Sequence, residues 1–371
     1  MARRVLKTFL VLALTLVVAI GGYVGYVAVR SAQPVTLPAP TGASPVGRTT
    51  AEWTDHASVD PLAPQPGMPR ELSVWLWYPA SLDPGAQPAP YAPGLWAGLR
   101  LGGPVGLAET GFDHVHDHAF ADVPVAAGRF PVVVLEPGLG FAAPQYTAMA
   151  ENLASSGFLV AGGTPTYSAN LTVLNGRPWS TTEAGNPRSF DASDFHAGQA
   201  QADGDRLVDV WAADARFAAN QLATLDATGR FAGHVDTANT VYIGHSFGGA
   251  AALEACRTDQ HCAGAADLDG TQYGPVAHTG PARPMLLVAS ENSCVTGTCP
   301  TPSTDSATAR TLLSASTGPI WCYRLDGATA LTITNAYLTA FVDHVAHGRS
   351  EALLSSRQSP YPEVEVQRTG S

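Results

Sequence analysis

Basic residues are scarce in this chain. Lys and Arg together number 20 against 31 Asp and Glu, which gives 371 residues a formal net charge of -11. No basic cluster occurs beyond the N-terminus, and no internal repeat is present. Because proteins that bind nucleic acids neutralise phosphates with Lys and Arg gathered on one face, this composition excludes a nucleic-acid partner. With 45% hydrophobic residues, the chain is long enough for one large α/β domain of about 300 residues.

Cysteine is also rare, and its five copies all lie between positions 256 and 322. Two close pairs, Cys256/Cys262 and Cys294/Cys299, flank short polar loops, which is typical of local disulfides in an extracytoplasmic domain. No histidine follows at zinc-finger spacing, so disulfides are favoured over a metal site. Cys322 is left as the odd cysteine.

A positively charged N-terminus precedes one long apolar run. Arg3, Arg4 and Lys7 come before the run from Phe9 to Val29, which as a helix would be about 31 Å long and could cross a bilayer. The apolar core of a cleaved signal peptide is shorter, roughly 7 to 15 residues, so an uncleaved signal anchor is favoured. The positive charges place the N-terminus inside and the body outside. We therefore expect a single-pass cell-membrane protein with an extracytoplasmic domain.

Composition divides the chain into four segments. Residues 1–30 are expected to form the membrane helix, and residues 31–45, rich in Pro, Ala and Thr, a flexible spacer. Residues 46–350 carry alternating apolar strands and amphipathic helices and form the folded domain. Residues 351–371 are expected to be a disordered tail. Membrane contact is thus predicted through the N-terminal helix.

Residues 130–161 predict a strand, a glycine-rich turn, a helix and a second strand. The run from Phe130 to Leu135 is continuously apolar, as in a strand buried on both faces, and leads into a turn at 136–140. A helix is then expected from Tyr146 to Ser155, stopped by Gly157, and a buried strand follows. This βαβ unit predicts a parallel sheet.

The pattern Gly-His-Ser-Phe-Gly at 244–248 follows the apolar run 241–243 and precedes small residues. It predicts a nucleophile elbow, in which Ser246 occupies a tight, strained turn between a strand and a helix and Oγ is exposed. Serine needs a histidine to take its proton, an acid to orient that histidine, and N–H donors for the oxyanion.

The acid and the donors have candidates. Asp269 follows the strand after the elbow helix, with Asp267 as a weaker rival and a turn-capping role as the structural alternative. The N–H of Phe247 follows the nucleophile, and the turn after Leu135 puts Leu139 where the second oxyanion donor belongs.

Several blocks in order resemble the platelet-activating-factor acetylhydrolases and their bacterial α/β-hydrolase relatives over about residues 46 to 345. The blocks are WLWYPA (75–80), FPVVVLEPGLG (130–140), ENLASSG (151–157), GHSFGG (244–249) and DLDG (267–270). The resemblance implies an α/β-hydrolase fold with a mostly parallel central sheet and helices on both faces. It also implies Ser246 as nucleophile, Asp269 as acid and Leu139 and Phe247 as oxyanion donors. The implied substrates are esters with a short acyl group or phospholipid-like esters, with no cofactor and no metal.

The expected histidine is missing. The resemblance places it in a Gly-x-x-His turn before the last helix, where this chain has Gly327-Ala328-Thr329-Ala330. His344 lies about 14 residues further on, roughly 21 Å away at helical rise. His245, at the variable elbow position, is expected to pack beneath the turn.

A histidine cluster at 113–118 leaves three interpretations open. His114, His116 and His118 would share one face of an extended segment and could bind a metal. Alternatively His116 or His118 replaces the missing base, or the cluster is solvated.

The sequence therefore predicts a serine carboxylic-ester hydrolase whose activity is weakened or lost because Ala330 replaces the triad histidine. The alternative is a non-catalytic acyl- or lipid-binding pseudo-hydrolase at the cell surface. A metal-dependent surface protein built on the histidine cluster is the third hypothesis.

Overall fold

The computed structural model describes residues 2–99, 111–191, 198–291, 293–297, 303–326 and 330–370. Their helices are α1 (Ala2–Ser31), α2 (Thr147–Ser155), α3 (Gln199–Leu225), α4 (Phe247–Thr258), α5 (Val276–Thr279), α6 (Thr304–Ala315), α7 (Ala330–His347) and α8 (Ala352–Ser355). Their strands are β1 (Val35–Thr36), β2 (Val46–Val59), β3 (Pro69–Pro79), β4 (Val115–His116), β5 (Ala119–Ala121), β6 (Phe130–Glu136), β7 (Leu159–Thr164), β8 (Thr172–Leu174), β9 (Arg177–Trp179), β10 (Val235–His245), β11 (Cys262–Leu268), β12 (Met285–Ser290), β13 (Ile320–Leu325) and β14 (Val364–Thr369).

Ten of these strands form one mixed sheet in the order β14-β13-β12-β11-β10-β6-β7-β3-β2-β5. The six strands from β13 to β7 are parallel, whereas β14 pairs antiparallel with β13 at one edge. At the other edge β3 pairs antiparallel with both β7 and β2. The parallel pairing of β6 with β7 across α2 confirms the predicted βαβ unit.

Alternating side chains of the central strands supply two separate cores. Val133 and Leu135 of β6 belong to the core on the side of α2 and α7. Val132 and Val134 belong to the core on the side of α3, α4 and α6. Since successive strand residues point to opposite faces, the apolar run buries both faces and requires helices on each. The result is a mixed α/β fold with a large central sheet.

Helix α1 is a candidate membrane span. Lys7–Ser31 is 25 residues long, apolar and unburied, so it could cross a membrane by length and composition. An N-terminal signal sequence has the same features. Membrane anchoring therefore stays a prediction.

The segment predicted to be a flexible spacer, residues 31–45, is bonded to the domain in the structure. β1 pairs with β4 in parallel, and the N–H of Leu37 donates to the carbonyl of His116 at 2.9 Å. Further along, the N–H of Gly42 donates to Ser155 Oγ at 3.0 Å. These bonds join residues far apart in sequence, so the composition of the segment did not reveal them.

The prediction of a disordered tail at 351–371 was wrong for most of its length. Leu354 and Val364 are buried, and the carbonyl of Leu354 accepts a hydrogen bond from Trp321 Nε1 at 3.2 Å. β14 then covers the edge of β13, which would otherwise leave unpaired backbone groups. The folded domain therefore continues past residue 350 to Thr369.

One of the two predicted local disulfides is described in full. Cys256 and Cys262 are bonded, with Cα atoms 5.2 Å apart. Cys294 is also disulfide-bonded, and Cys299 lies outside the described residues. Cys322 is a free, buried thiol, and burial raises its pKa to about 12.

Glu136, Glu151 and Asp267 are among the buried carboxyl groups of the domain. Burial raises the pKa values of Glu136, Glu151 and Asp267 to about 8 each, with nearby carboxylates contributing. Only one oxygen of Glu151 is bonded, accepting from the N–H of His118 at 2.9 Å, while Oε2 has no partner. These groups are therefore protonated in the folded protein at pH values where they ionise in the unfolded chain.

We predict that stability falls as the pH rises from about 5 to 8. Because the pKa values of these carboxyl groups are higher in the folded protein than in the unfolded chain, the folded protein binds more protons between about pH 4 and 8. The contribution of these groups to the free energy of unfolding is therefore complete below about pH 4 and is lost as the pH rises through about 8. We expect the melting temperature to drop by roughly 5 °C or more between pH 5 and 8 in calorimetry. Glu151→Gln should reduce the drop and the exposed control Asp83→Asn should not; equal drops in both would contradict the assignment.

Candidate active site

Ser246 lies at the corner between β10 and α4. Its backbone has φ 54° and ψ -126°, a conformation that costs a non-glycine residue on the order of 1–3 kcal/mol. The surroundings hold it there, because its N–H donates to the carbonyl of Leu268 at 2.8 Å and its carbonyl accepts from Gly249 at 2.8 Å. The strained turn predicted from the pentapeptide is confirmed.

Two glycines permit this corner by letting backbones approach closely. A Cβ built on Gly244 would lie 1.9 Å from the carbonyl oxygen of Gly248. A Cβ built on Gly248 would lie 2.3 Å from the carbonyl oxygen of Pro137, in the turn that follows β6. The elbow and that turn are thus packed backbone to backbone, and neither position accepts a side chain.

The turn after β6 brings Leu139 beside the elbow. The N–H groups of the next two residues are hydrogen-bonded. Gly140 donates to the carbonyl of Ser168 at 3.2 Å, and Phe141 donates to the carbonyl of Gly138 at 2.9 Å. The N–H of Leu139 donates to no described residue, and Phe247, as the first residue of α4, has no acceptor within its helix. These two N–H groups are therefore unbonded in the part of the chain that the structure describes, and their role as oxyanion donors stays a prediction.

Asp269 follows β11 at the carboxyl end of the sheet, also with a positive φ of 65°. Its N–H donates to the carbonyl of Val288 at 2.8 Å, and its Oδ1 accepts from the N–H of Ser290 at 2.9 Å. The second oxygen accepts no hydrogen bond from a described residue, and the side chain lines a cavity. Asp269 is thus held in place with one oxygen unbonded.

The rival Asp267 lies beneath the elbow helix. It is fully buried, with Oδ1 accepting from Gly270 at 2.8 Å and Oδ2 from the side chain of Gln272 at 2.9 Å. A Cβ built on Gly249 would lie 1.9 Å from Oδ1 of Asp267, so this carboxyl group packs directly against the first turn of α4. Through its bond to Gly270, Asp267 stabilises the turn that contains Asp269. Asp267 itself does not line the cavity.

A cavity of about 720 Å³ opens beside the elbow. Most side chains around it are apolar or aromatic, and the polar ones include Asp269, Gln145 and Thr334. Its aromatic wall is formed by Tyr91, Phe112, Phe141, Tyr146 and His245. The volume is far larger than an acetyl group, so a sizeable apolar group fits there.

Helix α7 contributes to the wall of this cavity. Ala330 is the first residue of α7, and Leu331 and Thr334 of the same helix line the cavity with Asp269. Residues 327–329 lie outside the described part of the chain. Alanine cannot accept a proton, so the position where the resemblance places the base supplies none, and the loss of the triad histidine stays a prediction.

Of the described histidines, His245 alone lines the cavity. Its Nδ1 lies 2.8 Å from the hydroxyl of Tyr146, and burial lowers its pKa although Asp269 opposes the shift. The expectation that His245 packs beneath the turn was therefore wrong, since the ring is part of the cavity wall. His196 lies outside the described residues.

The histidine cluster at 113–118 does not share one face, because a helical turn covers 112–114 and a short strand follows. His114 and His116 are exposed, and His118 Nε2 lies 2.8 Å from the carbonyl of Leu37. Among the described residues, no group of three or more His, Cys, Asp or Glu is placed to hold a metal ion. None of the three histidines lines the cavity.

No family model and no curated protein matches this sequence. A solved structure does match: the ferulic acid esterase from Streptomyces cinnamoneus, 27% identical, with a TM-score of 0.73, over 90% of this chain and 99% of that chain. The domain has the fold of an esterase-type hydrolase. The narrower resemblance to the platelet-activating-factor acetylhydrolases stays a prediction.

We predict that Gly244→Ala destabilises the domain by about 3 kcal/mol or more, because the new Cβ would overlap the carbonyl of Gly248. Urea unfolding measures the loss. The matched control is Gly98→Ala, where a Cβ meets nothing within 4 Å. Similar unfolding midpoints for the two variants would show that the elbow does not need this close approach.

Proposed function

We propose that the chain is a serine carboxylic-ester hydrolase that forms an acyl-enzyme at Ser246. The observation that carries the proposal is the strained conformation of Ser246 at the strand–helix corner, next to His245, which lines an apolar cavity. The esterase fold of the matched structure supports the same reaction type. No cofactor is needed for this chemistry.

The reaction has two halves. Ser246 Oγ bonds to the ester carbonyl carbon, the carbonyl electrons move to oxygen, and the N–H groups of Leu139 and Phe247 stabilise that oxyanion. The intermediate then expels the alcohol, which takes a proton. Water attacks the acyl-enzyme in the same way, releasing the carboxylic acid and returning a proton to Ser246.

The proton of Ser246 has no assigned acceptor. In a triad the histidine takes it while Asp269 orients that histidine. Here Ala330 occupies the position, and removal of a triad base can lower turnover by up to about a million-fold. We therefore expect slow hydrolysis, sustained by the oxyanion donors and by binding in the cavity.

The proposed substrates are esters of short or moderately large apolar acids, including phospholipid-like esters. The cavity of about 720 Å³ leaves room for more than an acetyl group. The matched esterase is named for ferulic acid, an aromatic acid, and the wall of this cavity is rich in aromatic rings. Methyl ferulate, 4-nitrophenyl acetate and a short-chain phosphatidylcholine are therefore the compounds to compare.

The second candidate is a non-catalytic binder of acyl or lipid ligands. It is favoured by the combination of an alanine at position 330 with a cavity of about 720 Å³ that has a mostly apolar lining. In both cases we propose attachment to the cell membrane through α1 with the domain outside. The Cys256–Cys262 disulfide fits an oxidising compartment.

We predict that a fluorophosphonate labels Ser246 slowly in the wild-type protein and that Ala330→His raises ester turnover by about 100-fold or more. By the resemblance, an imidazole at this position is the base that accepts the serine proton. Labelling is read by mass spectrometry and turnover with 4-nitrophenyl acetate. Ser246→Ala is the control and should abolish both signals.

Three outcomes would change the conclusion. Hydrolysis that persists in Ser246→Ala would remove the serine mechanism. Absent labelling and turnover in both wild type and Ala330→His would favour the binder. Clear wild-type activity would require another base, and single Ala variants of His118, His196 and His245 would locate it.

A further inference from the structure

One hydroxyl group joins the two loops that carry the proposed chemistry. Tyr146 lies just before α2, and its oxygen is 2.8 Å from the N–H of Gly138 and 2.8 Å from Nδ1 of His245. Gly138 immediately precedes Leu139, and His245 immediately precedes Ser246. A Cβ on Gly138 would lie 3.0 Å from His245 Nδ1 and 3.4 Å from the Cβ of Ser246.

The donor chemistry fixes the direction of the first bond. The N–H of Gly138 can only donate, so the tyrosine oxygen accepts there. The direction of the second bond depends on the tautomer of His245. Burial lowers the pKa of this imidazole and favours its neutral form, and a neutral ring with its proton on Nε2 accepts the tyrosine proton at Nδ1.

We propose that Tyr146 is a positioning residue that holds the Leu139 turn at the correct distance from Ser246 and fixes His245 in its Nε2–H form. The proposal rests on the esterase function proposed above. The N–H of Leu139 can bond to the oxyanion only if its turn is held at a fixed distance from Ser246. Tyr146 holds that turn through its hydrogen bond to the N–H of Gly138, the residue before Leu139. The same bond occupies Nδ1 of His245, so this nitrogen is no base for the neighbouring serine.

Removal of the hydroxyl should lower kcat and leave KM nearly unchanged. A loosened donor stabilises the transition state less but does not alter the cavity that binds the substrate. We predict a 10- to 100-fold lower kcat, roughly the effect of a misplaced oxyanion donor, for Tyr146→Phe on 4-nitrophenyl acetate. The double variant His245→Ala, Tyr146→Phe should show no larger loss of kcat than the more affected single variant, because both substitutions break the same hydrogen bond.

The matched control is Tyr242→Phe, which removes a buried hydroxyl bonded to Asp259 at 2.6 Å on the same strand as His245. This variant should keep the wild-type kcat, with melting temperatures confirming that both variants fold. An unchanged kcat in Tyr146→Phe, a loss in KM alone, or an equal loss in Tyr242→Phe would overturn the proposal.

A second readout does not need activity. Nitrogen NMR of histidine-labelled wild-type protein should show His245 with an unprotonated Nδ1, and Tyr146→Phe should change that resonance. A protonated Nδ1 in the wild type would refute the linkage itself. If the wild type shows this tautomer but neither hydrolysis nor labelling, the esterase function fails and the linkage stands.

A different observation concerns the chain between α1 and the domain. Leu37 lines the cavity and is fixed at both backbone groups, its N–H to His116 at 2.9 Å and its carbonyl to His118 Nε2 at 2.8 Å. Phe112 lines the same cavity, and the adjacent Gly111 donates its N–H to the carbonyl of Ser31, the last residue of α1, at 3.0 Å. One cavity wall is therefore built where the chain leaves the apolar helix.

We infer that Leu37 sets the size of acyl group that the cavity accepts, which also rests on the proposed function. Leu37→Ala would remove side-chain volume from the wall and leave the backbone bonds in place. We predict that the ratio of kcat/KM for 4-nitrophenyl hexanoate over 4-nitrophenyl acetate rises about threefold or more. The full-length protein in detergent is used for every variant.

Val35→Ala is the matched control, since Val35 is 42% exposed on the same segment and does not line the cavity. Its selectivity should equal that of the wild type. An unchanged ratio in Leu37→Ala, or equal changes in the two variants, would overturn the inference. Absence of hydrolysis in the wild type would instead reject the esterase function, and relative labelling by short- and long-chain alkyl fluorophosphonates would still compare the variants.

Discussion

The structure of the candidate site depends on how closely three backbone segments approach one another. The end of β10, the start of α4 and the turn after β6 meet without side chains between them, because Gly244 and Gly248 leave no room for a Cβ. This contact holds Ser246 in its strained conformation next to the turn that carries Leu139. Parallel pairing of β6 with β10 supplies the frame, since both strands end at one edge of the sheet.

Burial assigns different roles to two carboxyl groups that are two residues apart. Asp267 accepts two hydrogen bonds in a fully buried position, where burial raises its pKa to about 8, so it favours the protonated form. Asp269 extends from a turn with positive φ, anchored by Ser290, and keeps one oxygen beside the cavity. The buried group stabilises the turn, and the other one faces the cavity.

Local sequence patterns predicted the features that depend on local forces. The apolar run of β6, the glycines around Ser246 and the strand before Asp269 each restrict the backbone within a few residues, and the structure contains all three. Long-range bonds were not predictable in this way. The spacer and the tail were misassigned because their partners, such as Ser155 and β13, are distant in sequence. Tyr146 was missed as a functional residue for the same reason, since nothing in its surrounding sequence indicates contact with His245.

The strained elbow helps to decide between the two proposed functions. The conformation of Ser246 costs on the order of 1–3 kcal/mol and does not stabilise the fold. The close contacts at Gly244 and Gly248 also exclude larger side chains that would bury more surface. Asp269 also has a positive φ, and it lines a cavity of about 720 Å³. A binder would need the cavity but not the strained serine with its two unbonded N–H donors. The strain therefore favours the proposed use of Ser246 as a nucleophile over a binding role alone.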